Sequence, residues 1–248
     1  MSVLKRRSNN IKDGQYVIAF SDSRALIDIS KDCGMTWTRR QPSDLPNVNE
    51  YFFSNDRTRI AMSGDGRHIY CSCYMANVGL LRSTDFLETA EPFKPDNCYS
   101  VYSIACNGRG NLVAVVCQNS NNKYDLMLSG DYGKTWTKIT DSSFSARTLA
   151  ISYDGKYMVI EGGYSYSGAR ISADYGKTWA LKHSVIGNSF ALGLSSDGKY
   201  AIAQESSSPY RIFKSSDYLG SFTEINTAPL TSGIRANYRF IIMNKNRL

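Results

Sequence analysis

Ser129-Gly130-Asp131-Tyr132-Gly133-Lys134-Thr135-Trp136 returns 43 residues later as Ser172-Ala173-Asp174-Tyr175-Gly176-Lys177-Thr178-Trp179. An earlier copy reads Ser30-Lys31-Asp32-Cys33-Gly34-Met35-Thr36-Trp37. Two worn copies are Ser83-Thr84-Asp85-Phe86-Leu87 and Ser215-Ser216-Asp217-Tyr218-Leu219-Gly220-Ser221-Phe222. The aspartates stand at 32, 85, 131, 174 and 217, in steps of 53, 46, 43 and 43 residues. A period near this length marks a repeat architecture, in which one supersecondary unit buries its apolar face only against its neighbours.

A second phrase recurs out of phase with the first. It reads Ser63-Gly64-Asp65-Gly66-Arg67, Ser152-Tyr153-Asp154-Gly155-Lys156-Tyr157 and Ser195-Ser196-Asp197-Gly198-Lys199-Tyr200, with Asn107-Gly108-Arg109-Gly110 as a variant and Asp13-Gly14-Gln15-Tyr16 opening the series. Asp-Gly between apolar runs marks a hairpin, because Gly enters positive φ without steric cost. From this turn to the next long phrase is 19, 20, 22, 20 and 20 residues, so the two markers advance together.

Each unit therefore reads as four strands. In the fourth they fall at 148–152, 157–161, 169–172 and 178–182. Short β-rich runs with turns every few residues and no helical period specify an all-β array. Ala61, Ala105, Ala150 and Gly193 stand two residues before the first turn, and small side chains suit an innermost strand where units converge. The first unit lacks its own first strand, and Tyr238-Arg239-Phe240-Ile241-Ile242-Met243 is a surplus strand at the other end. The expectation is a five-bladed β-propeller of four-stranded antiparallel blades, its ring closed by the C-terminal strand pairing into the N-terminal blade. Residues 1–10 and 245–248 read as basic tails around a single domain over 11–244.

The long phrase resembles the Asp-box, or bacterial neuraminidase repeat, found in sialidases and sortilin-type receptors. Three copies match at every motif position. The copy at 215–222 replaces the Gly by Leu219 and the Trp by Phe222, and the copy at 83–90 is read as keeping only Ser83 and Asp85. The resemblance implies a structural turn between strands three and four of a blade, with the Asp accepting backbone N–H groups, the Gly left-handed and the Trp packed between blades. It also raises a sialidase-like activity, which needs three convergent arginines. The nearest match, Tyr210-Arg211-Ile212-Phe213, lies in the last unit and lacks the expected Pro.

The remaining composition restricts the chemistry. There are 248 residues, a net charge of +7 and two histidines, His68 and His183, read as exposed loop residues. Nucleophilic triads have little material. Glu161 and Glu205 occupy equivalent ends of strand two in adjacent units, which repetition alone explains. Six cysteines form no C-x-x-C pair; Cys71 and Cys73 point the same way, and Cys106 and Cys117 lie in successive strands, which would bring them near each other. No metal site, cofactor or membrane span is expected, and free thiols are the default. The basic residues are scattered, which disfavours nucleic acid. Charge without an apolar stretch behind it at the N-terminus reads as no signal peptide, hence a cytoplasmic or virion setting.

Ligand recognition is expected on the face carrying the strand two–three loops. These are rich in Tyr, Ser and Asn, which offer flat apolar area with hydrogen bonds. The candidate binding residues are Tyr74, Asn121, Tyr164, Tyr166, Glu205 and Tyr210. A longer connection at 41–50, following Arg39 and Arg40, and the basic termini are candidate contacts for a protein partner in an assembly. The sequence thus reads as a non-enzymatic binding or assembly module, a component of a larger complex such as a viral or phage particle. A glycan-binding lectin and a sialidase-like glycoside hydrolase are the alternatives.

Overall fold

The recurring turns divide the chain into five antiparallel meanders. The structure, a computed structural model, describes residues 15–20, 26–45, 59–72, 79–139, 148–161, 168–183, 189–205 and 211–225. The first sheet holds β1 (Val17–Phe20), β2 (Ile27–Ser30) and β3 (Thr38–Arg40). The second holds β4 (Arg59–Met62), β5 (Ile69–Ser72), β6 (Leu80–Ser83) and β7 (Glu91–Phe93). The third holds β8 (Ser100–Cys106), β9 (Val113–Gln118), β10 (Tyr124–Ser129) and β11 (Thr137–Lys138). The fourth holds β12 (Thr148–Ile151), β13 (Met158–Glu161), β14 (Ala169–Ser172) and β15 (Ala180–His183). The fifth holds β16 (Ser189–Leu194), β17 (Ala201–Glu205), β18 (Ile212–Ser215) and β19 (Thr223–Ile225). The fourth sheet follows the sequence expectation to within two residues at every strand end. The surplus strand at 238–243 and both tails lie outside the described residues.

The second, third and fourth sheets each lie between two others, so both faces of their inner strands are apolar. In β4, Ile60 and Met62 join the layer shared with the first sheet, while Ala61 joins the layer shared with the third. The same alternation sends Ala105 and Ala150 into the layers beyond their own sheets. It follows from the two-residue period of a strand. First strands pack on first strands, β4 on β8, β8 on β12 and β12 on β16. Small residues at 61, 105 and 150 permit this approach, and all three are buried.

The long phrase folds the same way five times. Its buried Ser donates Oγ–H to Asp Oδ1 at 2.7–2.9 Å and accepts the N–H of the fifth residue. Asp Oδ1 also accepts the N–H of the seventh residue, and Oδ2 accepts that residue's hydroxyl at 2.5–2.6 Å. The copy at 83–90 is less worn than the sequence suggests, because Thr89 holds the seventh position and makes both bonds to Asp85. Two consecutive residues are left-handed rather than one, as in Tyr132 (φ 64°) and Gly133 (φ 77°). Leu87 and Leu219 take the glycine's place at φ 61° and 68°, a cost offset by burying each side chain.

The tryptophans join neighbouring sheets in two of three cases. Trp136 stacks on Phe93 of the preceding sheet at 5.8 Å, and Trp179 packs against the layer between the third and fourth sheets. Trp37, in the first sheet, is 40% exposed. The cysteines correct one expectation: Cys106 faces Val113 and Cys117 faces Val101, at opposite ends of β9, and the thiol beside Cys117 is that of Cys98. Cys33, Cys71, Cys98, Cys106 and Cys117 are free, and no helix among the described residues is long and apolar enough to cross a membrane.

Candidate functional site

Antiparallel meanders place two kinds of connection at opposite ends of every sheet. The loops between second and third strands are at one end, where the sequence places its candidate binding residues. Tyr74, Tyr164, Tyr166 and Tyr210 lie outside the described residues. Asn121 is exposed in a tight turn, its backbone N–H bonded to Asn119 Oδ1 at 2.9 Å. Glu205 ends β17 as Glu161 ends β13, and Glu161 is buried. Arg39 makes a two-pronged ion pair with Asp28 of its own sheet, at 2.8 and 3.1 Å. Arg40 pairs with Glu88 in the second sheet, so it ties two sheets together. Arg211 precedes β18 and pairs with Glu224 at 3.8 Å.

The other end of the sheets carries the Asp-Gly turns and the long-phrase turns. Backbone bonds run between successive first turns: Gly64 N–H donates to Gly108 O, Gly108 N–H to Tyr153 O, and Tyr153 N–H to Ser196 O, at 2.7–2.8 Å. In the first, second and fourth units the residue after the first turn meets the fourth residue of the next sheet's long phrase. Tyr16 lies 5.1 Å from Phe86, His68 lies 4.7 Å from Tyr132, and Tyr157 lies 5.1 Å from Tyr218, ring centre to ring centre. His68 is consequently half-buried against Tyr132 rather than an exposed loop residue, and burial lowers its pKa. His183 is the last residue of β15, in a strand rather than a loop. Tyr132, Tyr175 and Tyr218 are exposed.

The row is interrupted between the third and fourth sheets. There the first turn is Asn107-Gly108-Arg109-Gly110, and Leu112 occupies the place of Tyr16, His68 and Tyr157. A cavity of about 480 Å³ opens at this point, lined by Asn107, Arg109, Asn111, Leu112, Tyr153, Asp154 and Tyr175. Asn107 repairs the lost Ser-x-Asp bonds by donating Nδ2–H to Asn111 Oδ1 at 3.0 Å and accepting the Leu112 N–H at 3.2 Å. Asp154 Oδ1 accepts from Ser152 Oγ and from the Lys156 N–H. Arg109 is exposed, and among the described residues nothing bonds its guanidinium. The sequence assigns no ligand to this end. What marks the cavity is the one unit that departs from its own repeat at the Ser, the Asp and the following aromatic.

The long-phrase aspartates are acidic. The Thr178 hydroxyl and N–H, with Ser172, lower the pKa of Asp174 to about 2, against burial that raises it slightly. Asp32 and Asp217 are likewise lowered to about 2 through Thr36 and Ser221. Asp131 is also lowered, chiefly by Thr135; at Asp85 burial is outweighed by Thr89 and Ser83. Among the described residues no cluster of His, Cys, Asp or Glu has metal-binding geometry.

No protein-family model matches the sequence, and no curated protein matches it. Solved structures do resemble the fold. A putative TolB from Agrobacterium tumefaciens superposes with a TM-score of 0.66 at 12% identity, over 90% of this chain and 80% of that one. The GH74 xyloglucanase from Xanthomonas campestris gives 0.63 at 13% identity, over 94% of this chain and 40% of that one. An ancestral GH74 enzyme gives 0.58 at 15% identity, over 90% and 31%. The fold is a β-propeller. The chain spans only about a third of the GH74 enzymes it resembles, and at these identities the likeness concerns architecture alone.

Proposed function

We propose that this β-propeller is a non-enzymatic binding or assembly module, a structural component of a larger complex such as a viral or phage particle. The observation that carries the proposal is the commitment of the repeated carboxylates to structure. Each long-phrase aspartate has both oxygens bonded within its own turn, and each has its pKa lowered. Such groups are poor proton donors at neutral pH. We read the turns as Asp-boxes and the five sheets as five blades.

The ring closes, in this proposal, when residues 238–243 add a fourth strand to β1. The first sheet has three described strands, and Ile18 of β1 is fully buried. Closure would also give Trp37 the neighbouring blade that Trp136 and Trp179 already have. Truncation after residue 237 should abolish cooperative unfolding.

The partner surface comprises Arg39, Arg40 and the 41–50 connection. Native mass spectrometry of the protein purified from its source tests the assembly role by weighing what copurifies. Deleting residues 46–48, which spares the core residue Leu45, should release that partner while the thermal melt stays cooperative; an unchanged complex would refute the surface. Glycan binding through the Tyr-, Ser- and Asn-rich strand two–three loops is the second reading, favoured by the exposed Asn121 in one of them, and a glycan array separates the two. Turnover of a fluorogenic glycoside panel would overturn both in favour of a hydrolase.

A further inference from the structure

We propose that the cavity between the third and fourth sheets is a binding site for a single sugar ring carrying one anionic group. The argument begins with charge. Where the second, fourth and fifth units place Asp65, Asp154 and Asp197, the third places Arg109. The position has changed sign, and its guanidinium has no partner among the described residues, so it is available for a carboxylate or phosphate. Asp154 stands on the same cavity wall with Oδ2 unoccupied among the described residues, as does Asn111 with its Nδ2 donor. A ligand must therefore offer one anion to Arg109, hydroxyl donors to Asp154 and an acceptor to Asn111.

The apolar part of the site narrows the class. Tyr153 and Tyr175 line the cavity, and Leu112 contributes to it without the ring that fills the equivalent place elsewhere. Tyrosine side chains beside planar amide and guanidinium groups match a ring with an apolar face and a hydroxylated edge. The volume of about 480 Å³ lies within the range of small-ligand sites. A nucleotide also stacks on tyrosine, but its doubly charged phosphate would meet one cation with Asp154 close by. The site is at the opposite end of the sheets from the candidate binding loops, and it holds or fails separately from the assembly proposal.

The test uses the full chain with methyl β-glucuronide, methyl β-galacturonide, methyl β-glucoside and adenosine monophosphate as probes. Calorimetry gives affinity, and amide chemical shifts locate the contact. At least one anionic sugar should bind about tenfold more tightly than the neutral glucoside, the size expected of one charge-assisted hydrogen-bond pair. Shifts should be confined to residues around 107–112, 153–154 and 175. Arg109→Asp restores the charge of the repeat, and Leu112→Tyr restores its ring. Each should weaken binding by about tenfold or more while leaving the melt unchanged, since both residues occur at this position in sister units. The proposal is overturned if the neutral glucoside or adenosine monophosphate binds as tightly, if neither variant weakens binding, or if no probe binds in the millimolar range.

Discussion

The ring of Tyr153 lies across the space beside Gly108, so a Cβ added there would stand 2.3 Å from the nearest ring carbon. Gly64 faces the same ring, its added Cβ 2.5 Å away. Neither glycine has positive φ, so only space, and not backbone conformation, excludes a side chain. Gly108→Ala should therefore cost about 1–3 kcal/mol in urea unfolding, the usual range for overpacking. In a Tyr153→Ala background the same substitution should cost much less. An equal cost in both backgrounds would show that the ring is not the obstacle.

Leu87 and Ala90 exchange volume with the Gly133 and Trp136 of the next unit. In the third sheet a Cβ on Gly133 would touch the Trp136 ring at 3.4 Å, and Trp136 Nε1–H bonds Gly133 O. In the second sheet the large residue has moved to the fifth position, and Leu87 is wholly buried beside Ala90. Leu87→Gly would relieve a left-handed leucine worth about 1–2 kcal/mol. It would also remove a buried side chain worth about 2–5 kcal/mol, so the variant should be destabilised overall. A stabilised Leu87→Gly protein in thermal unfolding would reverse that ranking.

Acid should protonate the turn aspartates only after ordinary surface carboxylates, because the turns hold their charge to lower pH. Asp32, Asp174 and Asp217 have pKa values near 2 when folded against 3.8 when free. A depressed folded value stabilises the protein fully above the free pKa, and that contribution drains away as pH falls from about 4 through about 2. Thr178→Val removes the largest cause of the shift at Asp174. Carboxyl NMR titration should then find the Asp174 midpoint moved upward, with Asp32 unmoved. A midpoint that stays put would mean the hydroxyl is not what holds the charge.

Much of this fold is written in its punctuation. Asp-Gly turns and Ser-x-Asp phrases locate strand ends because their side chains bond their own backbone, and local chemistry of that kind survives without tertiary context. The pairing of Thr89 with Asp85 escaped because Leu87 and Ala90 disguise the phrase around it. The His68 ring looked exposed because its partner, Tyr132, belongs to the next unit. The cavity was hidden for the same reason: its walls come from two sheets, and only comparison of 107–112 with its sister units gives a hint of it.

Thiol chemistry gives a last test of the layered core. Cys33 sits exposed at the left-handed fourth position of its turn, whereas Cys71, Cys98, Cys106 and Cys117 are buried between sheets. Burial raises the pKa of Cys71 and Cys106; Cys117 is raised by the neighbouring Cys98 thiol and by burial. Since the thiolate is the reacting form, these four should be inert until the core opens. An aromatic disulfide reagent, followed by peptide mass mapping, should modify Cys33 rapidly in the native protein. The buried four should react only at the rate of unfolding, with urea accelerating them together. Fast labelling of Cys98 or Cys117 in native buffer would show that the segment before β8 opens on its own. In a Cys73→Ser background, Cys73 lying outside the described residues, Cys33→Ser should remove the fast phase and leave the slow one unchanged.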